Sequence, residues 1–154
     1  MVSEGDRAPK VKLATDDGKQ VELAAREGRP VVLYFYPKDD TPGCTTEAKD
    51  FSCMIGDFDK AGADVIGISP DNEKSHRKFR EKYALEVKLA SDEDKSIALA
   101  FGCWVEKSMY GKKYMGVDRS TFLIDASGKV ARAWRKVKVP GHAEEVLAAL
   151  KALK

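Results

Sequence analysis

The chain has 154 residues, the size of one compact domain, and its 43% hydrophobic content fits a globular class. A net charge of +2, from 27 basic and 25 acidic residues, gives no electrostatic case for nucleic acid or a membrane surface as partner. No run approaches the roughly 18 apolar residues of a membrane span, and Met1-Val2-Ser3-Glu4-Gly5-Asp6 lacks the charged-then-apolar order of a signal peptide, so a cytoplasmic protein is expected.

With no internal repeat, low-complexity tract or Pro/Ser-rich linker, residues 1–154 read as a single domain. In chain order, short extended pieces at Val11-Lys12-Leu13 and Gln20-Val21-Glu22-Leu23 flank Asp16-Asp17-Gly18-Lys19, an N-terminal hairpin signal. Residues 31–36, Val-Val-Leu-Tyr-Phe-Tyr, form an unbroken apolar run of strand length, the pattern of a strand buried on both faces. Pro37 stops it, Pro42-Gly43 makes a tight turn, and a helix over 44–60 begins near Cys44.

Asp64 to Ser69 is a second buried strand, and a helix from Ser75 to Tyr83 places Phe79 and Tyr83 one turn apart on its inner face, with His76 on its surface. A short extended piece at 87–90 precedes Ser91-Asp92-Glu93-Asp94, which caps a helix over 94–101. An irregular middle follows, then strands at 120–125 and 130–135 around Ala126-Ser127-Gly128-Lys129, and an amphipathic helix from Gly141 to Leu153. Trp104 and Trp134 read as packing residues. The order is that of an α/β thioredoxin-like fold, a mixed central sheet flanked by helices, with the late hairpin as an antiparallel edge and ligands expected at the carboxyl ends of the strands.

Cys44 lies at such an end. The first turn of a helix has unpartnered N–H groups and the positive end of the macrodipole, and both favour a thiolate. A free cysteine titrates at about 8.5; lowering that to about 6 raises the thiolate fraction at pH 7 by only about 30-fold, so transition-state groups are needed as well. The other thiols, Cys53 and Cys103, are too few and too far apart for a disulfide framework. His76 and His142 are the only histidines, which leaves a zinc site or a Cys-His pair poorly supplied.

Pro37-x-x-x-Thr41-x-x-Cys44 resembles the signature of the peroxiredoxins. Pro42-Gly43-Cys44-Thr45-Thr46-Glu47-Ala48, Ser75-His76-x-Lys78-Phe79, Met109-Tyr110-Gly111-Lys112, Arg119-Ser120-Thr121-Phe122 and Gly141-His142-Ala143-Glu144-Glu145 are similar, in the same order, to the peroxiredoxin Q or bacterioferritin comigratory branch. The resemblance implies a thiol peroxidase that reduces hydrogen peroxide and organic hydroperoxides, recycled by thioredoxin or a similar dithiol, with no metal or other cofactor. It implies a monomer, a dimer being the alternative. Cys44 would be the nucleophile, passing through a sulfenic acid. Thr41 would hold peroxide and sulfur, Pro37 would shield the site, Arg119 would supply a fixed cation, and Glu47 would orient that guanidinium through a bidentate pair.

The branch commonly carries its resolving cysteine five residues after the nucleophile, where this chain has Lys49. On a helical wheel Ala48, Phe51, Met54, Ile55 and Phe58 share the Cys44 face, and Cys53 falls opposite, about 13 Å along the axis. A disulfide needs Cα atoms within about 7 Å, so Cys53 could resolve only after the first turns unwind. Cys103 and an external thiol remain as alternatives. A dithiol oxidoreductase on the same fold would want a second cysteine at Thr46 or Glu47, and a non-catalytic holdase would not need Pro37, Thr41, Cys44 and Arg119 together.

Overall fold

The computed structural model describes residues 2–23 and 28–153. Lys12–Thr15 (β1) and Gln20–Glu22 (β2) form the expected N-terminal hairpin, with Gly18 taking the left-handed φ of +81° that the turn requires. Val31–Phe35 (β3) is buried at every position, so the sequence reading of a two-faced strand holds. The helix expected over 44–60 is instead two: Pro42–Cys53 (α1) and Ile55–Lys60 (α2). Met54 breaks it, its amide shared between the carbonyls of Asp50 and Phe51, and the kink lets Phe58 meet Phe51 at 5.8 Å between ring centres.

Asp64–Ser69 (β4), Glu73–Tyr83 (α3) and Lys88–Ser91 (β5) follow as expected, α3 being capped by the Asn72 side chain on the Ser75 amide. His76 departs from its reading as a surface residue: it is fully buried. The next helix is shorter than expected, Ser96–Phe101 (α4), because the Asp92 carboxylate caps the Ile97 and Ala98 amides. The "irregular middle" is a hairpin of its own, Trp104–Met109 (β6) and Lys112–Val117 (β7), turning at Tyr110 (φ +52°) and Gly111 (φ +79°). Ser120–Ile124 (β8), Val130–Trp134 (β9) and His142–Lys151 (α5) complete the chain.

The main sheet runs β2-β1-β5-β4-β3-β8-β9. Its centre, β3-β4-β5, is parallel; β8 joins β3 antiparallel and carries β9 to one edge, and β1 joins β5 antiparallel and carries β2 to the other. Alternate residues of β3 feed two cores. Val32 and Tyr34 pack with Phe51, Phe58, Phe79 and Val146 of α1, α2, α3 and α5, whereas Leu33 and Phe35 pack with Phe101 of α4 on the other face.

Tyr34 and Gly67 are paired across β3 and β4, and the Tyr34 ring lies over the glycine. A Cβ there would stand 2.6 Å from the phenol carbon and oxygen. Gly67→Ala is therefore expected to destabilise the fold by about 1–3 kcal/mol through overpacking, read as a lower urea midpoint.

Candidate active site

Helix α1 opens with Pro42 at its first position, which has no N–H to lose there and a φ already set for the helix. The Thr45 amide bonds the Thr41 carbonyl at 2.8 Å. The Gly43 and Cys44 amides lie in the first turn of the helix, at the positive end of its macrodipole. Cys44 is 1% exposed, at the head of the apolar stripe that continues through Ala48 and Phe51.

Arg119 reaches this sulfur from the start of β8, which the sheet register places next to β3 and so beside α1. One guanidinium nitrogen lies 3.2 Å from Cys44 Sγ and the other donates to Glu47 Oε1 at 2.5 Å. The fork is thus split between thiol and carboxylate, where the sequence reading expected a bidentate pair with Glu47. The physical reason is position: Glu47 follows Cys44 by one helical turn, so both face the same cation and each takes one arm. Burial works against the charge on Arg119, but Glu47 and Cys44 outweigh it and hold the guanidinium firmly protonated. Gly43 makes room for it, since a Cβ there would be 3.3 Å from the guanidinium.

Glu47 is 1% exposed, and burial pushes its carboxyl from 4.5 to about 7 against the pull of Arg119. Between those values the unfolded chain has released this proton and the folded protein has kept it. Stability should therefore fall as pH rises from about 4.5 to about 7 and level off above, by at most about 3 kcal/mol from this group. Glu47→Gln should flatten the difference in melting temperature across that window, and an unchanged pH profile would contradict the buried carboxylate as its source.

The other residues singled out in the sequence are placed as follows. Thr41 occupies the N-cap position, but its hydroxyl donates to the Lys38 carbonyl at 2.9 Å rather than capping the helix or bonding the sulfur. Pro37 ends the strand run and is exposed. Cys53 is exposed at the last position of α1, nine residues from Cys44 on an unbroken helix, about 13 Å away along the axis. Cys103 is fully buried in the core on the opposite face of the sheet, where desolvation pushes its thiol up to about 11. Among the described residues, no three His, Cys, Asp or Glu side chains gather as metal ligands would, and no helix is long and apolar enough to cross a membrane.

Two groups near the site escaped the sequence reading. Tyr34 lies under α1, stacked on Phe51 at 4.7 Å, with its phenol ionisation pushed well up by burial and by Glu47; in an all-apolar strand run nothing marks it as distinct from packing. Asp39, in the loop before Thr41, is buried and hydrogen-bonded to His76 Nδ1 at 2.8 Å. Its neighbour Asp40 looks equivalent in sequence yet is exposed and holds Lys82 and Tyr83.

The profile of the AhpC/TSA family matches residues 4–133. The chain is 52% identical over 140 residues to Peroxiredoxin Bcp of Xanthomonas campestris pv. campestris, covering 91% of this chain and 88% of that one. It is 48% identical over 147 residues to Peroxiredoxin Bcp of Bacillus subtilis, covering 96% and 94%. Among solved structures, a trapped intermediate/ligand complex of the Xanthomonas campestris bacterioferritin comigratory protein, described in connection with alkyl peroxide reduction, superposes with a TM-score of 0.91 at 47% identity, covering 97% of this chain and 98% of that one.

Proposed function

The chain belongs to the AhpC/TSA family as a thiol-dependent peroxidase of the peroxiredoxin Q kind, and from that premise we propose that Cys44 is its nucleophile and Arg119, Glu47, Thr41 and Pro37 its supporting groups. Its substrate is a peroxide and its reductant a thiol. The observation that carries the residue assignment is the Arg119 fork, which brings a fixed cation to 3.2 Å from a cysteine sulfur at a helix start.

In the reaction, the Cys44 thiolate attacks the outer oxygen of the hydroperoxide. The S–O bond forms as the O–O bond breaks, and the alkoxide or hydroxide leaves and takes a proton to become alcohol or water. Arg119 and the Gly43 and Cys44 amides meet the negative charge as it passes from sulfur to leaving oxygen. Cys44 is left as a sulfenic acid. A second thiol then attacks that sulfur, releasing water and leaving a disulfide, which a dithiol such as thioredoxin reduces.

Cys53 supplies the second thiol in this reading, after α1 unwinds from its first turns. Its support is the exposure of Cys53 and the break that follows it at Met54, which leaves α1 ending there. Cys103 is disfavoured by its burial on the far face of the sheet. The working form in this reading is a cytoplasmic monomer; the single domain is supported by a sheet whose strands are drawn from residues 12–134. One equivalent of peroxide should give a 44–53 disulfide in non-reducing peptide mapping. A Cys44 sulfenic acid that persists and is trapped by a dimedone-type reagent, with no 44–53 linkage, would instead assign resolution to an external thiol.

A further inference from the structure

Outside the Cys44–Arg119–Glu47 set, Asp39 is a buried and densely hydrogen-bonded group in the loop that leads to Thr41. Its carboxylate accepts from the Tyr36 hydroxyl at 2.6 Å on one oxygen and from Ser75 and the His76 Nδ1, both at 2.8 Å, on the other. His76 Nε2 faces the Ala90 carbonyl at 3.0 Å, so both ring nitrogens have acceptors and the fully buried imidazole is held at both ends. The backbone of Asp39 is held too: its N–H donates to Asp71 Oδ2 at 2.7 Å, an oxygen that also accepts from Ser69 at 2.7 Å.

That amide belongs to the same peptide unit as the Lys38 carbonyl, which takes the Thr41 hydroxyl proton. A trans peptide points its N–H and C=O in opposite directions within one plane. Asp71, by fixing the N–H, therefore fixes the carbonyl on the other side and with it the rotor of the Thr41 hydroxyl. We propose that Asp71, with His76 bracing the Asp39 side chain, positions Thr41 for peroxide by locking the Lys38–Asp39 peptide plane.

The chemical consequence follows from where the hydroxyl proton is. A threonine free to rotate beside a thiolate would donate to it and blunt the nucleophile. With its proton committed to Lys38, Thr41 presents lone pairs only and accepts the O–H of an incoming hydroperoxide. Asp71 and His76 are positioning residues, since neither touches sulfur or substrate. The proposal rests on the assignment of Thr41 to peroxide binding.

The test is a double-mutant cycle on the second-order rate of Cys44 oxidation by hydrogen peroxide, measured by stopped flow, with the thiolate absorbance titrated in parallel. Asp71→Ala should slow oxidation about 10-fold and leave the thiolate titration unmoved. Asp71→Asn, whose amide oxygen can still accept from the Asp39 N–H, should recover most of that loss. In a Thr41→Val background Asp71→Ala should cost nothing further. Equal slowing by Asp71→Ala in both backgrounds, or none in either, would overturn the relay while leaving Thr41 its role. A Thr41→Val enzyme oxidised at the unaltered rate would remove the recipient and the proposal with it. If Asp71→Ala fails to fold, His76→Leu, which removes the ring nitrogen bonded to Asp39, enters the same cycle with the same pattern expected and the same patterns overturning it.

Discussion

Replacing Cys44 by serine should reduce peroxide consumption to background, a loss of more than about 10³-fold. A serine hydroxyl in the same place offers no comparable nucleophile: among the described residues the side chain bonded to this position is the Arg119 cation, which stabilises an anion but does not take a proton. The remaining thiols cannot substitute. Cys103 is fully buried, with its thiol pushed up to about 11, and Cys53, although exposed, lies at the far end of α1 away from the guanidinium. The measurement is peroxide consumption with a thiol reductant in excess, alongside a circular dichroism spectrum to show that the variant is folded. Turnover retained by the serine variant would refute the nucleophile assigned here.

Arg119→Met should slow Cys44 oxidation by about 10²–10³-fold, the cost of removing one preorganised donor from the charge that develops in the transition state. Methionine keeps much of the side-chain length, so the loss reports charge and hydrogen bonding more than a cavity. Arg119→Lys should recover only part of it. A lysine ammonium is a single point of charge, whereas the arginine fork serves Cys44 with one nitrogen and Glu47 with the other. Raising the pH should restore whatever share of the methionine defect comes from ionisation and leave the transition-state share. A second consequence separates this pair from a surface salt bridge: without its cation, buried Glu47 loses the group that pulls its titration down, so the fall in stability that levels off near pH 7 should continue to higher pH. Stopped-flow oxidation and a pH series of melting temperatures measure the two effects independently.

Much of this molecule can be read along the chain because the relevant physics is local. The apolar run at 31–36 could be buried on both faces only as a central strand, and Pro37, Pro42 and Gly43 punctuate it wherever the rest of the chain goes. The periodicity after Cys44 placed Ala48, Phe51 and Phe58 on one side and Cys53 on the other, and it did so even though the helix breaks at Met54. The hairpin at Tyr110-Gly111 was legible in principle from its glycine turn, but strands with mostly exposed residues carry no burial rhythm to announce them.

What the sequence by itself determined was a thiol at a helix start within a mixed α/β domain, and the residue types able to serve it. Tertiary structure alone decided that Arg119, 75 residues further on, splits its two nitrogens between that sulfur and Glu47, that Cys103 lies behind the sheet, and that His76, in a run of polar and charged residues that reads as a helix surface, is sealed against Asp39. The reason is one of range. Helix periodicity and turn chemistry act over a few residues and are written in order, whereas the partner of a buried charge is set by which strands lie side by side.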